Sequence, residues 1–284
     1  MCDLLCALPV ASGGAALFAK NSDRPPDESQ PFELHPPRTE AVTRATHVEV
    51  PGPAGATRAV FGSRPTWGWG LEQGVNEAGL AAGNATIYTT LDPRRAPDGL
   101  TGMDLVRLVL ERCATAADGV SLIEALLRDV GQGGSGHAGA RRPYWSSFLL
   151  VDPASAFVVE TSGNEMAVEA VVDVRATSNR TTIESFDAVH RHPRQPVASL
   201  VDPRLAASRT VLSQPPVTVA SLQAHLASHE GGADGWTVCM HVDGAEHREA
   251  TTAALVAELP SGAPPVVHHV TGSPCQQPWE TFRF

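Results

Sequence analysis

Met1-Cys2-Asp3-Leu4-Leu5-Cys6-Ala7-Leu8 opens the chain, and Gly14-Ala15-Ala16-Leu17-Phe18-Ala19-Lys20 follows it, running into the polar cluster Asn21-Ser22-Asp23-Arg24. Both are short apolar runs, and Ala11-Ser12-Gly13-Gly14 between them carries turn residues, so the pattern predicts a β-hairpin. With a two- or four-residue loop centred on Ser12-Gly13, Leu8 faces Leu17, Cys6 faces Ala19 and Cys2 faces Asp23. Strand alternation then sets Asp23 on the Cys2 face and Lys20 on the opposite one, unless a bulge intervenes.

Cys2 has a specific chemical potential at this position. Removal of Met1 gives one residue both a thiol and a free α-amino group, with ordinary pKa values of about 8.5 and about 7.7–8.0. Such an amine is substantially neutral near physiological pH and accepts a proton from the adjacent thiol. A nucleophile served by an N-terminal amine is an established arrangement for covalent catalysis. The competing reading is a buried strand cysteine, since free cysteines are commonly core residues.

The chain of 284 residues is 42% hydrophobic and 18% charged, with a formal net charge of -10. That composition excludes a disordered chain. The acidic balance, without a basic run, argues against nucleic acid or an anionic membrane as partner. No apolar window is long enough to span a bilayer, and the N-terminus lacks a basic region leading into an apolar one. Cysteines stand at 2, 6, 113, 239 and 275. Cys2 and Cys6 on one strand would lie about 13 Å apart, too far for a disulfide or a redox pair. This usage predicts a cytoplasmic protein.

Further along, strands are expected near 46–50, 58–62 and 80–88. Thr101-Gly102-Met103-Asp104 and Thr115-Ala116-Ala117-Asp118 are helix starts, each followed by an apolar stripe. Residues 146–172 read as a meander of strands, followed by the polar knot Ala176-Thr177-Ser178-Asn179-Arg180. The stretch 184–216 reads as irregular. A short helix is expected from Thr218 to Ser228, then strands over Trp236–Val242, Thr251–Leu259 and Val266–Thr271. Strands grouped around grouped helices predict one α+β domain over 1–284, with layered sheets and outer helices.

Within this frame, Arg64, Trp67 and Trp69 fall in a glycine-rich loop, read either as self-packing or as a substrate-pocket wall. Asn84, polar within an apolar strand, is either a satisfied buried amide or an inward-pointing site residue. No cysteine–histidine spacing matches a zinc site, and His241 reads as a sheet residue. No metal and no cofactor are expected.

The motifs Cys2-Asp3, Lys20-Asn21-Ser22-Asp23-Arg24, Ser63-Arg64-Pro65 with Trp67 and Trp69-Gly70, Gly102-Met103-Asp104-Leu105-Val106-Arg107-Leu108, Ser178-Asn179, Cys239-Met240-His241 and Thr271-Gly272-Ser273-Pro274 resemble the secernins. Secernins are similar to bacterial dipeptidase A and, more distantly, to bile-salt hydrolases and penicillin V acylases. All are N-terminal-nucleophile hydrolases. The resemblance implies a four-layer αββα sandwich and amide hydrolysis through a thioester on Cys2, with no cofactor. It implies Asp23 as an orienting carboxylate, Lys20 where the distant acylases carry arginine, and Asn179 as an oxyanion donor. Asn84 falls near a second such donor. A small peptide or N-acyl amide is the implied substrate, and Arg64 is a candidate for its carboxylate. The rival reading is a non-catalytic interaction protein that keeps the fold. The oligomeric state, a homo-oligomer included, is left open.

Overall fold

The computed structural model describes residues 1–139, 141–245 and 248–284. Two antiparallel sheets stack face to face. The first contains β1 (Cys2–Ala7), β2 (Ala16–Arg24), β12 (Val174–Thr177), β13 (His241–Asp243), β14 (Arg248–Leu259), β15 (Val266–Thr271) and β16 (Glu280–Arg283). Its strands run β12-β1-β2-β14-β15-β16, with β13 also paired to β14. The second contains β3 (Phe32–His35), β6 (Val60–Ser63), β7 (Gln73–Asn76), β8 (Ala81–Ile87), β9 (Trp145–Val151), β10 (Ala156–Ser162) and β11 (Glu165–Ala170), in the order β11-β10-β9-β8-β7-β6-β3. A separate ribbon pairs β4 (Val42–Arg44) with β5 (Glu49–Pro51).

Helices cover the outer faces. α2 (Gly102–Arg112) and α3 (Ala116–Asp129) lie on the second sheet. The first sheet is covered by α6 (Asp202–Leu212) and α7 (Val219–Leu226). The shorter α1 (Pro9–Ser12), α4 (Glu184–His190) and α5 (Val197–Leu200) sit in connections. The result is the expected αββα layering.

Each layer boundary is an apolar seam. Leu4, Cys6, Phe18 and Leu255 of the first sheet meet Ala81, Ala85, Leu149 and Val158 of the second. The opposite face of the first sheet, with Leu5, Leu17 and Ala19, packs on Leu205, Leu222 and Leu226 of the helices. Leu105, Val109 and Ile123 fill the other helix–sheet seam. Of the two capping starts read from sequence, the first forms a full box: Thr101 accepts from the Asp104 backbone N–H, and Asp104 accepts in return from Thr101 N–H. Thr115 caps α3 in the same way on one side, accepting from Asp118 N–H.

Several expectations are corrected. The β1–β2 connection is a helical turn at Pro9–Ser12 closed by Gly13 at φ 72°, not a simple hairpin loop. Leu4 consequently pairs with Lys20, Cys6 with Phe18 and Cys2 with Ser22. A slip of one residue exchanges the faces. Lys20 shares the Cys2 face, and Asp23 points the other way. The 184–216 stretch holds α4, α5 and the whole of α6, because Pro196 and Pro203 stand at helix starts rather than breaking helices. Of the stretch expected over Trp236–Val242 only His241 and Val242 are strand, in β13, and β16 was not anticipated.

Candidate active site

Cys2 begins a central strand of the first sheet, 6% exposed, with its side chain in the seam between the sheets. Lys20, two pairs down the ladder on the same face, is wholly buried, and its ammonium donates to the Cys2 sulfur across 3.5 Å. Gly83 on β8 creates the necessary room: a Cβ there would stand 2.7 Å from Lys20 Cδ and 3.0 Å from Phe18 Cζ.

The buried cation has partners. Lys20 Nζ is 3.5 Å from Glu72 Oε2, and Arg24 Nη1 donates to Glu72 Oε1 at 2.8 Å. Burial works against charge on Glu72, but Lys20 and Arg24 outweigh it and hold the carboxyl below its usual range. Arg24 is itself clamped, by Glu28 at 2.5 Å and by the Gly136 carbonyl at 2.6 Å. Two acids and two bases thus alternate beside the thiol, which is how buried charges become tolerable.

A second network lies on the other face of the sheet. The Cys2 backbone nitrogen donates to Asn179 Oδ1 at 2.8 Å, and Arg204 Nη2 donates to the same oxygen at 3.0 Å. Arg204, fully buried, also donates to Asp3 Oδ2 at 2.5 Å and lies 4.0 Å from Asp23 Oδ2. Two donors on one atom fix the amide orientation, so Asn179 Nδ2 points away and donates to the Thr86 carbonyl at 3.0 Å.

Asp23 Oδ1 accepts from the Thr251 hydroxyl at 2.6 Å, while Oδ2 is buried without a hydrogen bond among the described residues. Burial pushes the Asp23 carboxyl up to about 7, against the pull of the N-terminal ammonium and Arg204. The register of β14 against β2 shifts between Thr251 and Ala253, leaving Thr251 opposite Asp23. Met1 covers the site: its ammonium donates to the Asp23 carbonyl at 2.9 Å and lies 3.9 Å from Glu249 Oε2. Glu249 also borders a cavity of about 510 Å³ lined by Glu28, Gln30, His241, Thr252 and Ser273.

Not every residue named from sequence gathers here. Asn84 sits on the β8 face turned toward α2, where a Cβ on Gly102 would meet its Nδ2 at 2.5 Å, and its amide donates to Tyr144 Oη at 3.4 Å. Alternation along β8 gives Gly83 to the Cys2 side and Asn84 to the other. Arg64 is committed to Glu33 through Nε at 3.0 Å and Nη2 at 2.9 Å, and to the Gly68 carbonyl at 2.8 Å through Nη1. It braces the tryptophan loop. Trp69 lies between Arg38 and Arg107, with guanidinium-to-ring distances of 5.5 and 4.3 Å. Trp67 alone of that loop joins the Cys2 network, donating from Nε1 to Glu28 at 2.9 Å and lying 5.8 Å from the Arg24 guanidinium carbon.

Sequence reading missed Arg204, Glu72 and Glu249. Arg204 carried a signal: Asp202-Pro203 is a helix start, and Leu205 and Leu212 mark a buried face beside it. It also missed a tertiary cluster. His229, Cys239, His241 and Cys275 converge with their ligand atoms within 4.8 Å of one another, a grouping that the sequence spacing does not announce. His229 and Cys275 lie outside any short motif with the other two.

The architecture is that of the N-terminal-nucleophile hydrolases. The chain aligns over 99% of its length with penicillin V acylase from Agrobacterium tumefaciens, at 14% identity, TM-score 0.59 and 85% of that chain. It covers 97% of the Cys2→Ala mutant of conjugated bile acid hydrolase from Clostridium perfringens, over 100% of its own length, at 14% identity and TM-score 0.56. The N-acylethanolamine-hydrolyzing acid amidase ortholog of Caenorhabditis elegans matches at 11% identity and TM-score 0.52, covering 89% of this chain and 91% of that one. Residues 10–193 match the model of the acyl-coenzyme A:6-aminopenicillanic acid acyl-transferase family, and the chain belongs to that family.

Proposed function

We propose that the protein hydrolyses amide bonds with Cys2 as nucleophile, once cleavage of the Met1–Cys2 bond frees its α-amino group. The observation that carries this is the 2.8 Å hydrogen bond from the Cys2 nitrogen to Asn179. The atom that would act as base is already held beside the thiol. The family and fold support the same chemistry, since the matched relatives are named as acylases, hydrolases and amidases.

In this mechanism the neutral amine takes the thiol proton, and the thiolate attacks the amide carbonyl carbon. Collapse of the tetrahedral intermediate breaks the C–N bond, and the ammonium returns the proton to the leaving amine. Water then attacks the thioester, releasing the acid and restoring the thiol. Lys20, whose ammonium donates to the Cys2 sulfur, is the cation available to stabilise the developing oxyanion. Asn179 and Arg204 orient the amine, so Asn179 acts as an acceptor rather than as an oxyanion donor. Asp23 Oδ2 is the acceptor that balances the ammonium when it forms.

For substrate, short peptides fit better than neutral N-acyl amides. Glu249 already lies close to an ammonium, that of Met1, and can receive the amino group of a dipeptide. This agrees with a secernin-like, dipeptidase-type specificity. The second reading is a binding protein without catalysis, which holds if Met1 is retained, because the Cys2 nitrogen is then a peptide amide and not a base.

Intact mass separates the two at once. A mature protein beginning at Cys2 is required for hydrolysis. The protein would then be assayed on dipeptides and on N-acyl amides, with Cys2→Ala and Glu249→Gln beside it. Activity that survives Cys2→Ala overturns the mechanism, and dipeptide preference that survives Glu249→Gln overturns the substrate assignment.

A further inference from the structure

We infer that His229, Cys239, His241 and Cys275 form a structural zinc site, separate from the Cys2 chemistry. Their four ligand atoms lie within 4.8 Å of one another. His241 Nε2 is 3.5 Å from Cys239 Sγ and 3.1 Å from Cys275 Sγ, and the rings of His229 and His241 meet edge to face with centroids 5.1 Å apart. Zinc bonds of about 2.3 Å to sulfur and about 2.0–2.1 Å to nitrogen place tetrahedral ligands roughly 3.3–3.8 Å apart. The observed separations bracket that range, and small side-chain rotations close it. Two thiolates with two imidazoles favour zinc over hard cations.

The backbone prepares the site. His241 opens β13 and Cys239 lies in the bend just before it, which brings Cys239 Sγ to 3.5 Å from His241 Nε2. Cys239 N–H donates to the Ser228 carbonyl at 2.8 Å and Val238 N–H to Glu230 at 2.9 Å, which brings His229 alongside. Cys275 comes from the turn after β15, where the Gln276 and Gln277 amides both donate to the Ser273 carbonyl. The turn is anchored by Ser273 Oγ donating to the Thr251 carbonyl at 2.9 Å. One imidazole nitrogen between two thiols can make a single good hydrogen bond, whereas a metal ion satisfies every donor at once.

The site has a structural task. Residues 227–240 contain no helix and no strand, and β13 has three residues. A four-ligand zinc would tie this segment and the C-terminal turn to the first sheet, leaving no open position for catalysis. The tie reaches the region of Asp23, because Met240 N–H donates to Thr251 Oγ1 at 2.9 Å and Thr251 donates to Asp23.

The test uses the full chain, purified under reducing conditions and assayed for zinc by plasma mass spectrometry. It is then stripped with a chelator and titrated with cobalt. One metal per chain is expected, with the intense visible bands of tetrahedral cobalt and near-ultraviolet thiolate charge transfer. Cys275→Ser and His229→Ala change exposed residues, so the fold is expected to survive. Each should weaken cobalt binding at least tenfold, and Cys275→Ser should reduce the thiolate band. A weak octahedral spectrum, binding unchanged in both variants, or a Cys239–Cys275 disulfide in the protein as purified would overturn the assignment.

Discussion

The Lys20 ammonium lies 3.5 Å from the Cys2 sulfur, inside the seam between the sheets where neither side chain is open to solvent. Replacing Lys20 by Met removes the hydrogen-bond donor and the cation beside the sulfur, so alkylation of Cys2 at neutral pH should slow severalfold. Iodoacetamide rates on the form beginning at Cys2 check this, and an unchanged rate would remove Lys20 from the site.

Gly83 supplies the space for that lysine. Gly83→Ala puts a Cβ within 2.7 Å of Lys20 Cδ, with the Phe18 ring close behind. The flexible lysine gives way first, so the substitution should reproduce much of the Lys20→Met effect on Cys2 reactivity. Its stability cost should lie in the range of about 1–3 kcal/mol for overpacking. Parallel alkylation and urea-unfolding measurements distinguish this from a general loss of fold.

Arg204 and Asp3 form a fully buried ion pair at 2.5 Å. Removing one partner leaves an uncompensated charge, at a cost of about 3–5 kcal/mol. Arg204→Met should therefore lower stability markedly, and the double variant with Asp3→Asn should recover a substantial part. Denaturant midpoints for the two singles and the double give the coupling directly.

The Asp23 carboxyl is held at about 7 by burial, above its unfolded value. The native state thus keeps a proton that the unfolded chain releases. Stability from this group is full below about pH 4 and is lost as pH rises toward 7. The upper bound is about 4 kcal/mol, at about 1.4 kcal/mol per unit. Asp23→Asn should flatten the dependence of unfolding free energy on pH between about 4 and 7. An identical slope in wild type and variant would contradict the assignment.

Burial pushes the thiols of Cys6 and Cys113 each up to about 12. At neutral pH their thiolate fraction is on the order of 10⁻⁵. Alkylation at pH 7, read by peptide mass mapping, should leave Cys6 and Cys113 unmodified and label Cys2 once Met1 is gone. Cys275, which is exposed, should be protected in the zinc-loaded protein and labelled after chelation.

The sequence by itself determined the layered α+β class and the helix starts at Thr101 and Thr115. Those features are local: strand alternation, caps and contiguous motifs are written within a few residues. Which face each polar residue of β2 takes was not local. It depended on how one helical turn at Pro9–Ser12 is counted, and one residue of register exchanged Lys20 for Asp23 beside the thiol. Arg204, Glu72 and the Cys239–Cys275 cluster were decided only by tertiary packing, because their partners stand tens to hundreds of residues away. Cys2 could be singled out from its position in the chain. What surrounds it had to be folded into place.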